Sequence, residues 1–361
     1  AKSRAAIEHW QRLVYGWMGR TPDYKAAFTG VFGAIPEHFA PHEDTARRWY
    51  NKAQNDVLFL NHAIVNPPVD RNRPVDEVED VFVHAIKETD AGIYIRGAKV
   101  VATGSALTQA NFCASNRGVL RKREYALAFF APMTTPGVKL ICRHSYELQA
   151  AATGSPFDYP LSGRMDENDA ILVFDNAFIP WENVFLYGDV EKSDGLMQGS
   201  RTNGRVCMQA FTRLAVKLEF IIGLTLKAAR IAGTNTIRTT QVLIGELIML
   251  RNTVRALLDA MEAHPENLPN GFLTFNETYA LTLRAIGPHV YTRMRDIVQK
   301  VCSSSLIYLN SNAVDFQTEE LRPYLETYLR GSDGIGAEER VKTMKLLWAS
   351  TSSEFGARHE L

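Results

Sequence analysis

Apolar positions along the chain change period twice. Over residues 1–60 the spacing is helical: Ala5-Ala6-Ile7-Glu8-His9-Trp10-Gln11-Arg12-Leu13-Val14 reads as one helix, and Thr21-Pro22-Asp23 marks the start of another. Thr21 suits the N-cap, Pro22 the first helical position, where its missing N–H costs nothing, and Asp23 the positive end of the dipole. Tyr24 then falls in the first turn with Arg20 just ahead of it, so a guanidinium and a phenol can converge on one volume. From Val78 the period drops to two, Val81, Val83 and Ala85 alternating with Phe82, His84 and Ile86. Further strands are predicted from Ile93, over Tyr125–Pro132, Val138–Arg143 and Ala170–Asp175, broken by glycine turns such as Asp90-Ala91-Gly92, which signals an antiparallel sheet. From about Asn203 helical spacing returns in three long stripes, Leu214 to Leu226, Leu243 to Met261 and Leu283 to Val301. Gly287-Pro288 predicts a kink in the third, and shorter helices follow over roughly 318–329 and from about Ala337.

This order predicts an α+β chain: an N-terminal helical domain (1–60), a central antiparallel β domain (61–195) and a C-terminal helical bundle (196–361). The junction between the first two is Phe59-Leu60-Asn61-His62-Ala63-Ile64-Val65-Asn66-Pro67-Pro68-Val69-Asp70-Arg71, an apolar segment holding one histidine and halted by two prolines. Partial burial makes that imidazole's charge state tunable. Cys113–Arg123 is a connection with four basic residues and no acid, suited to meeting an anionic group. Ala152–Pro160 is too rich in turn residues for helix or strand and is expected to line a pocket or an interface. His84 belongs on the polar face of its strand and is assigned no chemistry.

Composition narrows the function. Of 361 residues 46% are apolar, enough for a sizeable core, and 40 Lys plus Arg balance 40 Asp plus Glu, so no bulk field favours nucleic acid or an anionic membrane. The four cysteines are scattered without metal-ligand spacing, and no apolar run reaches the roughly 18 residues of a membrane span, which together imply a soluble cytoplasmic protein with no metal centre. Neither a dinucleotide-binding nor a P-loop glycine motif is present, so the chain should not bind NAD(P)H itself; G-x-S-x-G and H-E-x-x-H are also missing. What remains is an Arg/Tyr/His set beside a Thr/Ser-rich strand end, suited to an oxygen anion held next to a planar ring. The chain starts without Met and stops abruptly at Arg358-His359-Glu360-Leu361, as an excerpt of a longer one would.

Seven segments carry a resemblance: YGWMGRTPDYKAAF (Tyr15–Phe28), FLNHAIVNPPVD (Phe59–Asp70), GAKVVATGSALT (Gly97–Thr108), ATGSPFDYPL (Ala152–Leu161), MDENDAILVF (Met165–Phe174), IPWENV (Ile179–Val184) and SEFGARHEL (Ser353–Leu361). In order and over nearly the whole chain they resemble the oxygenase components of the 4-hydroxyphenylacetate 3-monooxygenase family. The resemblance implies an acyl-CoA dehydrogenase-like fold with a C-terminal four-helix bundle, usually a homotetramer, and ortho-hydroxylation of a phenol to a catechol through a flavin C4a-hydroperoxide. Reduced FAD would come from a separate NAD(P)H:flavin reductase, and O2 would be the co-substrate. Carried over by motif, the catalytic and substrate-binding residues are Arg20, Tyr24 and His62, with Ser115 and Asn116 on the substrate loop. The flavin contacts are His62, Ala63 and Ile64, Pro68, Val69, Asp70 and Arg71, and Thr103, Gly104, Ser105 and Ala106, with the Thr103 and Ser105 hydroxyls near flavin N5.

Two features depart from the family's pattern. The basic run after Asn116 does not follow the 4-hydroxyphenylacetate pattern, which leaves a chlorophenol, a nitrophenol or a tyrosyl group on an acidic carrier protein as alternative substrates. Part of the family's flavin site would lie beyond Leu361. Two rivals lie outside this chemistry: a lyase like 4-hydroxybutyryl-CoA dehydratase, whose iron–sulfur cysteine spacing this chain lacks, and a flavin-binding protein without turnover.

Overall fold

The computed structural model describes residues 2–115 and 120–357. Three helices, α1 (Lys2–Leu13), α2 (Pro22–Ala34) and α3 (Glu43–Asn55), precede the strands β1 (Leu60–Ala63), β2 (His84–Thr89), β3 (Gly92–Lys99), β4 (Ala110–Ala114), β5 (Leu127–Pro132) and β6 (Val138–Cys142). Helix α4 (Tyr146–Thr153) leads to β7 (Ala170–Pro180) and β8 (Val184–Tyr187), and the short α5 (Val190–Asp194) and α6 (Leu196–Gly199) open the helical half. There α7 (Thr202–Ile231), α8 (Arg238–Ala263) and α9 (Glu277–Cys302) are the long rods, followed by α10 (Arg322–Tyr328), α11 (Ala337–Thr351) and α12 (Glu354–Ala357).

The strands form two four-stranded sheets, ordered β1-β4-β5-β8 and β2-β3-β7-β6, where the periodicity suggested one antiparallel sheet. One pairing is also parallel: β1 runs alongside β4 with His62 opposite Phe112. The connection from β1 to β4 passes through β2 and β3 in the other sheet, and such a crossover permits a parallel pair that a hairpin forbids. Alternation along the strands sorts side chains between two cores. Ala63, Cys113, Leu127 and Phe129 pack between the sheets with Ile93, Ile95 and Leu172. Leu60, Phe112, Ala128 and Phe130 face outward and are covered by Tyr24, Phe28, Phe32 and Trp49 of α2 and α3. Covered on both faces, β1 lacks the in–out alternation of a half-exposed strand.

Helix α7 is the axis of the helical half, packed against α8, α9, α11 and α1. The three stripes supply its core, with Leu214, Leu218, Leu247, Leu258, Leu283 and Met294 fully buried; Leu226 instead lies 44% exposed. Gly287-Pro288 sits inside a helix that runs unbroken from Glu277 to Cys302, and a side chain at Gly287 would strike the Phe211 ring at 2.5 Å. The 152–160 stretch is irregular only from Gly154, since Ala152 and Thr153 close α4, and its Phe157 lines a cleft of about 1360 Å³ with Tyr308, Phe316 and Tyr328. Among the described residues no helix is long and apolar enough to cross a membrane. His84 stacks on Tyr125 and shares a hydrogen bond with the Phe82 carbonyl, a structural placement.

Gly97 marks the register shift between β3 and β7. Its φ is +116°, and a Cβ would lie 2.5 Å from the Phe82 carbonyl. Gly97→Ala therefore combines a left-handed strain with a backbone clash, and should lower stability by about 1–3 kcal/mol or more. An unchanged urea midpoint would show that the strand edge can shift away freely.

Candidate active site

The site is built from the first turn of α2. Thr21 occupies the N-cap position, but its hydroxyl accepts from Gln11 Nε2 at 3.0 Å instead of capping the helix. The turn is fixed by Glu167: its buried carboxylate accepts from the Gly19 N–H at 2.8 Å and from the Arg20 N–H. So held, Arg20 lies with Cζ 4.3 Å from the centroid of the Tyr24 ring, a cation–π contact.

His62 comes to the same place from β1. Its ring stacks on Phe28 at 4.2 Å and stands 5.3 Å from Tyr24, and its Nδ1 is enclosed without a hydrogen-bond partner. Burial, followed by the charges of Lys25 and Arg20, holds the imidazole's pKa well below its usual value. His62 is therefore a neutral donor–acceptor at pH 7, and Arg20 is the positive charge on this side of the ring.

The turn 103–105 adjoins this cluster. Gly104 has φ +79°, and a Cβ there would stand 3.9 Å from Arg20 Cβ, so the turn faces the arginine with room to spare. Thr103 donates from its hydroxyl to Asp169 at 2.6 Å, and Asp169 in turn accepts from Arg143 Nε at 3.1 Å. Its proton is thus committed, and the Thr103 oxygen can only accept from a further partner. The Ser105 hydroxyl is committed twice, accepting from Asn61 Nδ2 and donating to Asn111 Oδ1, both at 2.7 Å. With its proton committed, this oxygen too can only accept from a further partner.

Other expected residues are more dispersed. Ala63 points into the core between the sheets, Ile64 is half-buried, Ala106 is exposed, and Pro68, Val69, Asp70 and Arg71 lie exposed on the loop leaving β1. The Ser115 hydroxyl donates to the Tyr125 carbonyl, which ties down the end of β4 instead of presenting a free group. Asn116 lies outside the described residues. The basic run has acidic neighbours invisible in its own segment: Arg121 pairs with Glu77 at 3.4 Å, Lys122 with Glu79 at 3.6 Å and Arg123 with Glu88 at 3.4 Å.

Sequence reasoning missed three residues. Glu167 stands inside the MDEND segment, where a carboxylate between two aspartates gave no sign of its backbone partners. Lys25, beside Tyr24, is buried and donates to Asn61 Oδ1 and to the Thr103 carbonyl at 3.5 Å. Lys99, also buried, donates to Asn66 Oδ1 at 2.7 Å and to the Ala114 carbonyl at 2.9 Å, joining the exit of β1 to the end of β4.

The 4-hydroxyphenylacetate 3-hydroxylase family is described by an N-terminal and a C-terminal model, which match residues 1–186 and 193–361. The chain belongs to this family. A 4-nitrophenol 2-monooxygenase oxygenase component of Rhodococcus sp is 52% identical over 359 residues, which span 99% of this chain and 69% of that protein. A Streptomyces globisporus monooxygenase named for (3S)-3-amino-3-(3-chloro-4-hydroxyphenyl)propanoyl on the peptidyl-carrier protein SgcC2 is 51% identical, spanning all of this chain and 68% of that protein. The crystal structure of the oxygenase component of 4-hydroxyphenylacetate 3-monooxygenase with FAD and 4-hydroxyphenylacetate superimposes with a TM-score of 0.92 at 31% identity, over 99% of this chain and 74% of that one. The fold of this 4-hydroxyphenylacetate 3-hydroxylase family member is acyl-CoA dehydrogenase-like, and its membership makes it a flavin-dependent monooxygenase that works with FAD. The residues present fit a flavin ring: a left-handed glycine turn faces Arg20, the Thr103 oxygen is free to accept, and His62 Nδ1 is enclosed without a partner.

Hydrogen bonds to a charged acceptor contribute about 1.5–3 kcal/mol each. Glu167→Ala should therefore release the Arg20 backbone and weaken phenol binding by about tenfold, with FAD affinity changed less than about threefold, as read by calorimetric titration. Unchanged phenol affinity would show that Arg20 is held by other means.

Proposed function

We propose that this chain is the oxygenase component that hydroxylates a phenol ortho to its hydroxyl, drawing reduced FAD from a separate NAD(P)H:flavin reductase. One observation carries the reading: a permanent cation over Tyr24 and a neutral imidazole with a partnerless Nδ1 meet among buried aromatic rings beside a glycine turn. In low dielectric a guanidinium favours the ionised form of a nearby phenol, and phenolate oxygen pushes electron density to the ortho carbon. Arg20 thus stabilises the phenolate, Tyr24 and Phe28 pack its ring, and His62 exchanges a hydrogen bond with its oxygen as charge leaves it. Reduced FAD, when bound, supplies the two electrons that activate O2, one atom of which goes to the ring while the other leaves as water. Thr103 and Gly104 would hold the flavin edge, with Asp169 orienting the Thr103 hydroxyl.

A free phenol is the favoured substrate class. A carrier-tethered 4-hydroxyphenyl group is the second reading, supported by 51% identity to the carrier-protein monooxygenase and weakened by the acidic partners of Arg121, Lys122 and Arg123. Exposed Val242, Ile248 and Met249 on α8 and Leu281 on α9 support burial of the bundle in a homotetramer.

Full-length protein supplied with FAD, NADH and a flavin reductase should convert 4-hydroxyphenylacetate, a halogenated or nitrated phenol, or carrier-bound tyrosine to the catechol. Flavin binding with no catechol from any of them would sink the reading. Arg20→Ala and His62→Ala should each lower the catechol formed per O2 consumed by at least about tenfold while FAD still binds. Equal yields from wild type and both variants would remove these side chains from the chemistry.

A further inference from the structure

Lys25 follows Tyr24 in the first turn of α2, and the packing that buries the tyrosine carries the lysine amine inward until the residue is only 4% exposed. Its acceptors are an amide oxygen and a peptide carbonyl, Asn61 Oδ1 and Thr103 O, and Nζ stands 5.8 Å from the centroid of the Tyr24 ring. Asn61 extends the connection through Ser105 to Asn111, and these three side chains are as deeply buried as the lysine. One amine thereby joins α2, the strand that carries His62 and the turn that faces Arg20.

The charged and titratable groups around it come from several elements: Arg20 from the turn before α2, Tyr24 from α2, His62 from β1, Glu167 from the segment before β7, and Asp169 behind the Thr103 hydroxyl. Burial, then the Arg20 charge, push the Lys25 amine down to about 6, with Glu167 opposing them. At neutral pH the amine is thus largely uncharged while the pocket is empty. An anionic oxygen entering beside Arg20 raises its proton affinity again. Breaking a phenol O–H while forming an N–H on Nζ leaves the net charge of the buried cluster unchanged.

We propose that Lys25 is a positioning residue of the phenol site: it fixes the 103–105 turn against β1 and becomes the charge that appears, through Tyr24 and His62, when a phenolate enters. The proposal rests on the phenol-hydroxylase reading. Its probe is 2,4-dinitrophenolate, ionised throughout from about pH 5 to about pH 9, titrated into full-length wild type, Lys25→Arg and Lys25→Met. In wild type, affinity should be full below about pH 6 and fall about tenfold as pH rises through the higher pKa the amine has in the complex. Lys25→Arg should bind as tightly as wild type at acid pH with a flat profile, since guanidinium does not titrate there, and keep its FAD affinity within about threefold. Lys25→Met should also be flat, and about tenfold weaker at the acid end. A slope belonging to His62 would survive in both variants. The wild-type slope persisting in Lys25→Arg overturns the proposal even if the Met variant fails to fold. Wild type that binds and hydroxylates no phenol sinks the underlying reading and this inference together, whereas hydroxylation with an unaltered slope sinks this inference alone.

Discussion

The site depends on one contact, the burial of α2 against β1 and the outward face of its sheet. Arg20, Tyr24, Phe28 and Phe32 recur every fourth residue, so the last three share a face once the helix forms. Phe32 stacks on Phe185 at 4.4 Å and meets Phe112 edge-on at 5.4 Å, and burying side chains of this size contributes about 1.5–3 kcal/mol each. The same packing sets Tyr24 and Phe28 over His62 and turns Lys25 inward. Apolar burial thus delivers the polar groups: an arginine, a lysine and an imidazole arrive together because the aromatics beside them must leave water.

Once delivered, these groups share a poor dielectric. The carboxylate nearest to them, Glu167, is engaged with the backbone N–H groups of Gly19 and Arg20, so it orders the turn while neutralising little of the side-chain charge. Two of the three basic groups respond by favouring their neutral forms, and Arg20, which cannot, remains the permanent charge. A pocket in this state is biased toward an anionic oxygen and away from a second cation. That bias is what a phenol hydroxylase needs, because the ring is reactive at carbon only after its oxygen has lost a proton.

Behind the reacting face lies a second set of interactions with a mechanical role. Arg143 bridges Asp166 at 2.6 Å and Asp169 at 3.1 Å, and Asp169 orients Thr103. Lys99 binds the exit of β1 to the end of β4, where the substrate loop begins. The first ties the turn at Thr103 to the segment before β7, and the second ties β1 to β4.

Much was legible along the chain because local chemistry decides it. Thr21-Pro22-Asp23 opens α2 at the expected residue, period-two alternation makes strands, and three- and four-residue spacing makes the stripes whose Leu214, Leu247 and Leu283 are buried. The motif segments placed Arg20, Tyr24 and His62 on one site, and the fold brings them within one cluster of rings. What periodicity cannot state is which surface covers a given face. The parting of the strands into two sheets, the parallel alignment of β1 with β4 and the acids beside Arg121, Lys122 and Arg123 all arise from such coverage. Glu167 meets Gly19 across 148 residues and Lys25 meets Asn61 across 36, and the Ser105 hydroxyl is held between two asparagines. Sequence by itself therefore determined the long helices, most of the strands and the candidates Arg20, Tyr24 and His62, since those follow from neighbours and motifs along the chain. Only the tertiary structure decided their charge states and hydrogen-bond partners, because desolvation and long-range contact exist only after the faces have closed on one another.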